Sequence, residues 1–194
     1  MSARMVLLGP PGAGKGTQAE RLAAGRGIPH ISTGDIFRAN IKNETELGLK
    51  VKDILASGGY VTDEITNEIV KNRLAEDDAK AGFLLDGYPR TANQVDALDA
   101  MLAEKGEALD AVLELTVDAE EVVQRLVKRA ETSGRSDDTE EVIRERQELY
   151  VRETAPLAEA YTQRGMLVQI DGMGSMDEVE ARINAALDQV SSAR

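Results

Sequence analysis

At 194 residues the chain has room for one compact domain, or a core carrying small insertions. Its 42% hydrophobic content supports a core of aliphatic side chains, since only 3% is aromatic, and the lack of cysteine excludes a disulfide framework, a thiol nucleophile and a cysteine zinc site. A formal net charge of −12 argues against general binding to nucleic acid or an anionic membrane, so any phosphate ligand must be met by a local group of arginines.

The start, Met1-Ser2-Ala3-Arg4, has no secretory pattern, and no apolar run approaches the ~20 residues of a membrane span. A cytoplasmic protein is therefore expected, which a cysteine-free chain also suits. Met5-Val6-Leu7-Leu8 is a short apolar run stopped by Gly9-Pro10-Pro11-Gly12, which predicts a buried strand ending in a tight turn. A helix is expected over about residues 14–26, with Ala19, Leu22 and Ala23 on one face. Residues 34–76 read as helix-rich, with breaks at 43–45 and at Ser57-Gly58-Gly59. Phe83-Leu84-Leu85 predicts a strand ending at Asp86-Gly87, followed by a helix over about 92–104. Residues 111–117 predict the next strand, with a helix from 119 to about 130. A polar loop is expected over 131–138, then a helix, the strand Leu167-Val168-Gln169-Ile170 and a last helix over about 176–190. Apolar strands alternating with amphipathic helices imply an α/β fold with a mainly parallel sheet covered on both faces. The segment 34–76 and the polar loop interrupt that rhythm and are expected to lie over the carboxyl edge of the sheet, where such sheets bind ligands.

The strongest local signal is Gly9-Pro10-Pro11-Gly12-Ala13-Gly14-Lys15-Gly16-Thr17. Glycines let backbone N–H groups converge on an anion, and the helix that follows points its positive end at the same spot. Lys15 is then expected at the outer phosphates of a nucleotide and the Thr17 hydroxyl near Mg²⁺. The general pattern places Ser or Thr directly after the lysine; here Gly16 intervenes, and the strand before and helix after support the assignment. Asp86 is either the cap of an Asp-Gly turn or a carboxylate acting on a metal, directly or through its waters; beside the cradle, the metal reading is favoured. Arg38, Arg90, Arg129, Arg135, Arg144 and Arg146 stand at or near loops that flank the same sheet edge. Singly, each reads as a solvated surface residue; together they offer planar guanidinium groups able to grip phosphate with paired hydrogen bonds.

The cradle with Gln18, then Ile31-Ser32-Thr33-Gly34-Asp35, then Asp86-Gly87-Tyr88-Pro89-Arg90-Thr91, then Gly134-Arg135 with Asp137-Asp138, is similar in order and spacing to the adenylate kinase family, over about residues 5–178. The third element more commonly has Phe where Tyr88 stands, and the Gly16 insertion is this family's own form. The resemblance implies a P-loop NTPase-type parallel sheet with helices on both faces, a helical NMP-binding lobe inserted at 32–61 and a short lid at 128–138, within a single core spanning 1–194. It implies reversible transfer of the γ-phosphoryl group of Mg·ATP to AMP, giving two ADP, by a monomer. Gly12, Ala13, Gly14, Lys15, Gly16 and Thr17 would hold ATP phosphates, with Arg129 adding a contact and Gly174 a backbone contact near adenine. Thr33, Arg38, Gly59, Tyr60, Val61, Gly87, Tyr88, Pro89, Arg90 and Gln94 would hold AMP, and Arg135 and Arg146 would bridge the transferring phosphate. Lys15, Arg90, Arg129, Arg135 and Arg146 are thus the expected catalytic cations, with Thr17 and Asp86 toward Mg²⁺. Five residues separate Arg129 from Arg135, and without cysteine this resembles the short lid that holds no structural zinc.

A uridylate/cytidylate-type kinase is the alternative, although Gln94 favours an adenine acceptor. A nucleotide switch without transfer chemistry leaves the Arg90 element unexplained, and a nucleic-acid module conflicts with the charge. His30, beside an expected strand, and the pair Asp137-Asp138 read as structural, and the Glu-rich stretch 140–148 as a solvated helix face.

Overall fold

The computed structural model describes residues 3–133 and 139–192. Among these, one sheet has five parallel strands in the order β2-β3-β1-β4-β5. The strands are β1 (Arg4–Leu8), β2 (His30–Ser32), β3 (Phe83–Asp86), β4 (Ala111–Thr116) and β5 (Leu167–Asp171). Helices α1 (Lys15–Arg26), α2 (Thr33–Lys42), α3 (Glu46–Ala56), α4 (Asp63–Leu74), α5 (Ala92–Ala103), α6 (Ala119–Ser133), α7 (Glu140–Leu149), α8 (Ala155–Gln163) and α9 (Met176–Ser192) follow in chain order, with a π-helical turn at Tyr150–Thr154 between α7 and α8.

The central strands read as unbroken apolar runs because both their faces are buried. Successive residues then serve opposite faces. Val6, Leu8, Phe83, Leu85 and Val112 pack against α4, α5 and α8 through Val70, Leu98 and Tyr161. Met5, Leu7, Leu84, Leu113 and Leu115 pack against α1 and α9 through Ala19, Leu22, Ile183 and Leu187. A third, separate cluster of Phe37, Val51 and Val61 holds α2 and α3 together. No helix among the described residues is long and apolar enough to cross a membrane.

Several elements differ from the sequence expectations. β2 was expected only as an unbounded strand beside His30: it is a three-residue edge strand just after Pro29, too short for its alternation to set its limits. The helix expected to stop near 130 runs to Ser133, because Arg129, Ala130 and Glu131 are all good helix formers. Residues 131–133 of the expected polar loop are therefore helical, and Arg129 sits inside α6. The remainder of that loop, 134–138, lies outside the described residues. The turn at Tyr150–Thr154 and α8 were also unforeseen.

Candidate functional site

The sheet register brings the distant motifs to one edge. Asp86, last in β3, lies beside Leu7 on one side and Ser32 on the other. The glycine loop leaves β1 at this point, and α1 begins at Lys15 immediately after it. Gly12 has φ +88, and a Cβ there would stand 2.8 Å from Cγ of Leu126 and 3.1 Å from the Val122 carbonyl, so α6 packs directly on the loop.

Lys15 spans its own loop, its Nζ donating to the carbonyls of Gly9 at 2.7 Å and Pro10 at 3.0 Å. Its pKa is pushed down to about 8. Burial is the main cause; Asp86 pulls the other way, and Arg90, Arg146 and Arg129 add to the depression. These four cations thus crowd one place, and their mutual repulsion makes an anion there strongly stabilising. Asp86 is buried. Burial opposes its ionisation, but a hydrogen bond from His30 and the charges of Lys15, His30 and Arg90 outweigh it and hold the carboxyl below its ordinary range.

Arg90 is held at several points before any ligand arrives. Its backbone N–H donates to Gln94 Oε1 at 2.8 Å, its carbonyl accepts from the Thr154 hydroxyl at 2.8 Å, and its Nε donates to the Gly87 carbonyl at 2.8 Å. Its guanidinium lies 5.0 Å from the centre of the Tyr60 ring. Because the single Thr154 proton goes to Arg90, the Tyr60 hydroxyl is the donor to Thr154 Oγ at 2.8 Å.

Pockets open along this edge. A cleft of about 350 Å³ is lined by Gly12, Gly14, Lys15, Gly16, Thr17, Asp86, Arg38, Arg90, Arg129 and Arg146, among others. It runs into a pocket formed by Thr33, Arg38, Gly59, Tyr60, Val61, Gly87, Arg90, Gln94 and Arg146. A pocket on the other side is lined by Ala13, Gly14, Thr17, Arg125, Gly172 and Gly174. Pro89 lines a smaller recess next to Lys15. Tyr88 stands apart: its ring is wholly buried in the core and its hydroxyl donates to Asn67 at 2.7 Å, so its side chain faces away from the pockets. A phenol that finds a buried partner behaves as core. Arg135 lies outside the described residues, as do Gly134, Asp137 and Asp138.

Thr17 and Asp86 present hard oxygen donors to the same cleft. Among the described residues no group of three or more His, Cys, Asp or Glu side chains is placed to hold a metal. That donor set fits Mg²⁺ arriving with nucleotide phosphates, which keeps most of its ligands as water and phosphate oxygen.

Arg125 and Gln147 escaped the sequence reading, and His30, read there as structural, stands against Asp86 at the sheet edge. His30 Nε2 lies 3.3 Å from Asp86 Oδ2; burial lowers its basicity, but Asp86 chiefly, with Asp35 and Glu20, raises its pKa overall. Arg125 ties the glycine loop to the loop after β5, donating to the carbonyls of Ala13 at 3.3 Å and Gly172 at 3.1 Å. Gln147 donates to the Pro11 carbonyl at 2.9 Å. Each is defined by a contact between distant parts of the same chain, which no local motif announces.

With this geometry in place, comparison with known proteins gives a consistent answer. A family model described as adenylate kinase matches residues 7–166. The chain is 64% identical over 183 residues to an adenylate kinase from Leifsonia xyli subsp. xyli, covering 94% of this chain and 92% of the relative. It is 58% identical to one from Clavibacter michiganensis subsp. michiganensis, with 95% and 92% covered, and 56% identical to one from a Nocardioides species, with 96% and 98% covered.

Proposed function

The chain belongs to the adenylate kinase family, and from that premise we propose how its pockets divide the work. The enzyme transfers the γ-phosphoryl group of ATP to AMP, reversibly, giving two ADP. ATP phosphates lie on residues 12–17, with adenine beside Gly174 and Arg125. AMP lies in the pocket between α2, α3 and Gln94. The observation that carries this reading is that Arg90 and Arg146 line both the glycine-loop cleft and the neighbouring pocket. Those two guanidinium groups occupy the seam where a donor and an acceptor phosphate would meet.

A phosphate oxygen of AMP is already anionic near neutral pH, so the attack needs no general base. What the protein supplies is alignment and charge. Lys15 gains full protonation against the incoming phosphates, and Arg38 orients the acceptor phosphate from α2. Arg90, pinned through Gln94, Thr154 and Gly87, faces the transferring group without needing to reorganise. Arg129 and Arg146 complete the cation set, to which the family resemblance adds Arg135. Mg²⁺, when bound, would supply positive charge to the phosphate oxygens, and Thr17 and Asp86 are the residues that would hold it. The lobe at 32–61 and the lid at 128–138 close over the cleft and exclude water, which would otherwise take the phosphoryl group. We read the protein as a cytoplasmic monomer: a cysteine-free chain suits a reducing compartment, and every group proposed for the site comes from one chain.

Coupled ADP-formation kinetics with Mg·ATP and AMP, CMP, UMP or GMP test the acceptor assignment, with AMP expected to dominate. Arg90→Ala is expected to fold normally and lose about 10²–10³-fold in rate, the scale for removing a transition-state donor. A loss under about tenfold would take Arg90 out of the transition state. Lys15→Met is expected to abolish transfer; unchanged turnover would remove the cradle from the mechanism.

A further inference from the structure

Gln94 lines the acceptor pocket, yet half of its amide is already committed on the protein side. Its Oε1 accepts the Arg90 backbone N–H at 2.8 Å, and its Nε2 donates to Asp63 Oδ1 at 2.9 Å. A primary amide has two N–H groups and two lone pairs on oxygen. One of each is spent, so one N–H and one lone pair remain for the pocket.

We propose that Asp63 is a specificity-determining positioning residue: by fixing which way the Gln94 amide faces, it sets the acceptor pocket for a 6-aminopurine and against a 6-oxopurine. The inference rests on reading that pocket as the AMP site. The edge of a 6-aminopurine offers an accepting N1 beside a donating amino group. A free N–H next to a free lone pair complements both. A 6-oxopurine offers the reverse, a donating N1–H beside an accepting carbonyl, and so meets donor with donor and acceptor with acceptor.

A half-turn of the amide would cure that mismatch for the 6-oxopurine. It would also aim Oε1 at the Asp63 carboxylate and Nε2 at the Arg90 N–H. Neither partner can exchange roles, because a carboxylate only accepts and a backbone N–H only donates. Asp63 is itself braced. It is the first residue of α4, with the Thr91 hydroxyl donating to Oδ1 at 3.0 Å and Asn93 Nδ2 donating to Oδ2 at 3.3 Å. Thr91 in turn caps α5 by accepting the Gln94 backbone N–H at 3.2 Å, so one cluster fixes both main chain and side chain of Gln94. The sequence Thr91-Ala92-Asn93-Gln94 has the form of a capping box, but the glutamine oxygen reaches the N–H of Arg90 instead of the cap residue. The Arg90 half of the lock is main chain; Asp63 is the half that a side-chain substitution can remove.

The test is kcat/KM for AMP and for IMP with Mg·ATP, in the wild type, Asp63→Ala, Asp63→Asn and Gln94→Leu. IMP differs from AMP only at the 6-position and N1, so the ratio isolates the amide's orientation. Asp63→Ala is expected to lower the AMP-to-IMP ratio by about tenfold, mostly through improved use of IMP. Asp63→Asn keeps the shape and offers the amide either kind of partner, so a fall of about threefold is expected and the test survives if the alanine variant does not fold. A merely structural role for Asp63 would depress both acceptors together and leave the ratio within about twofold in both variants, which overturns the proposal. Should Gln94→Leu lower the ratio while neither Asp63 variant does, the lock fails and the pocket assignment stands. Should Gln94→Leu also leave the ratio unchanged, the acceptor pocket itself is misassigned.

Discussion

Lys15 is a cation placed where charge is unwelcome until an anion arrives. With its pKa at about 8, roughly three-quarters of the lysine is neutral at pH 8.5 in the free protein. Phosphates whose own protons are lost by that pH will raise its pKa on binding, so the complex takes up a proton. Calorimetry of ATP binding in excess EDTA, across buffers of different ionisation heat, is expected to show uptake of more than about half a proton at pH 8.5. Affinity is expected to weaken as pH climbs through and beyond 8. A Lys15→Arg variant, permanently charged, is expected to show no uptake, and a wild type without buffer dependence would contradict the crowded-cation description. At this scale the sequence was legible where the backbone demands a residue type: the glycines and Lys15 stand where β1 ends and α1 begins, as expected, whereas Arg90 stood out only in the company of other arginines and through the family resemblance. It assigned Tyr88 to the ligand when the side chain belongs to the core, read His30 only as structural, and was silent on Asp63. Whether a phenol faces a ligand or the core, and which carboxylate a histidine or glutamine meets, depends on neighbours 21, 56 and 31 positions away in the chain.

The α2–α3 pair is built around a contact that tolerates no side chain. A Cβ on Gly48 would stand 2.1 Å from the Asn40 carbonyl oxygen and 2.4 Å from its carbon. Main chain cannot yield as a side chain can, so Gly48→Ala must push the two helices apart and open the small cluster of Phe37, Val51 and Val61. Overpacking of this kind costs about 1–3 kcal/mol. Because this cluster is separate from the two that pack on the sheet, the damage should stay local. KM for AMP is expected to rise about tenfold or more, with KM for ATP within about twofold. Equal rises for both nucleotides would deny that this pair serves the acceptor alone. Elements with a full apolar period or a glycine stop were readable: β1, β3, β4, β5, α1, α5 and α9 follow the sequence pattern within a few residues. The limits of β2 were not, because three residues after a proline show no period. The end of α6 was misplaced because helix propensity outran the polar character that signalled a loop.

At the scale of the whole molecule, the sequence implied a parallel sheet with ligands at its carboxyl edge, but not which strands are neighbours. The order β2-β3-β1-β4-β5 places β1 between β3 and β4, and so sets the glycine loop between Asp86 and the α6 arginines. The same order joins the pockets. The cleft shares Arg38, Gly87, Arg90 and Arg146 with the pocket at Gln94, and Gly14, Thr17 and Arg125 with the pocket beside Gly174. A single trough therefore runs from Gly174 to Gln94, positive at its middle in a protein whose net charge is −12. Two adenosines joined by five phosphates should lie along it, each base at one end and the phosphates over the cations. Joining the ligands removes the cost of bringing a second molecule to the site, so affinity should exceed that of either nucleotide by about 10²–10⁴-fold. Titration calorimetry should give one molecule bound per chain, with ATP and AMP each displacing it and Arg90→Ala weakening it. Two molecules bound per chain, or displacement by only one of the nucleotides, would mean that the pockets act separately and that Arg90 and Arg146 do not stand at a shared seam.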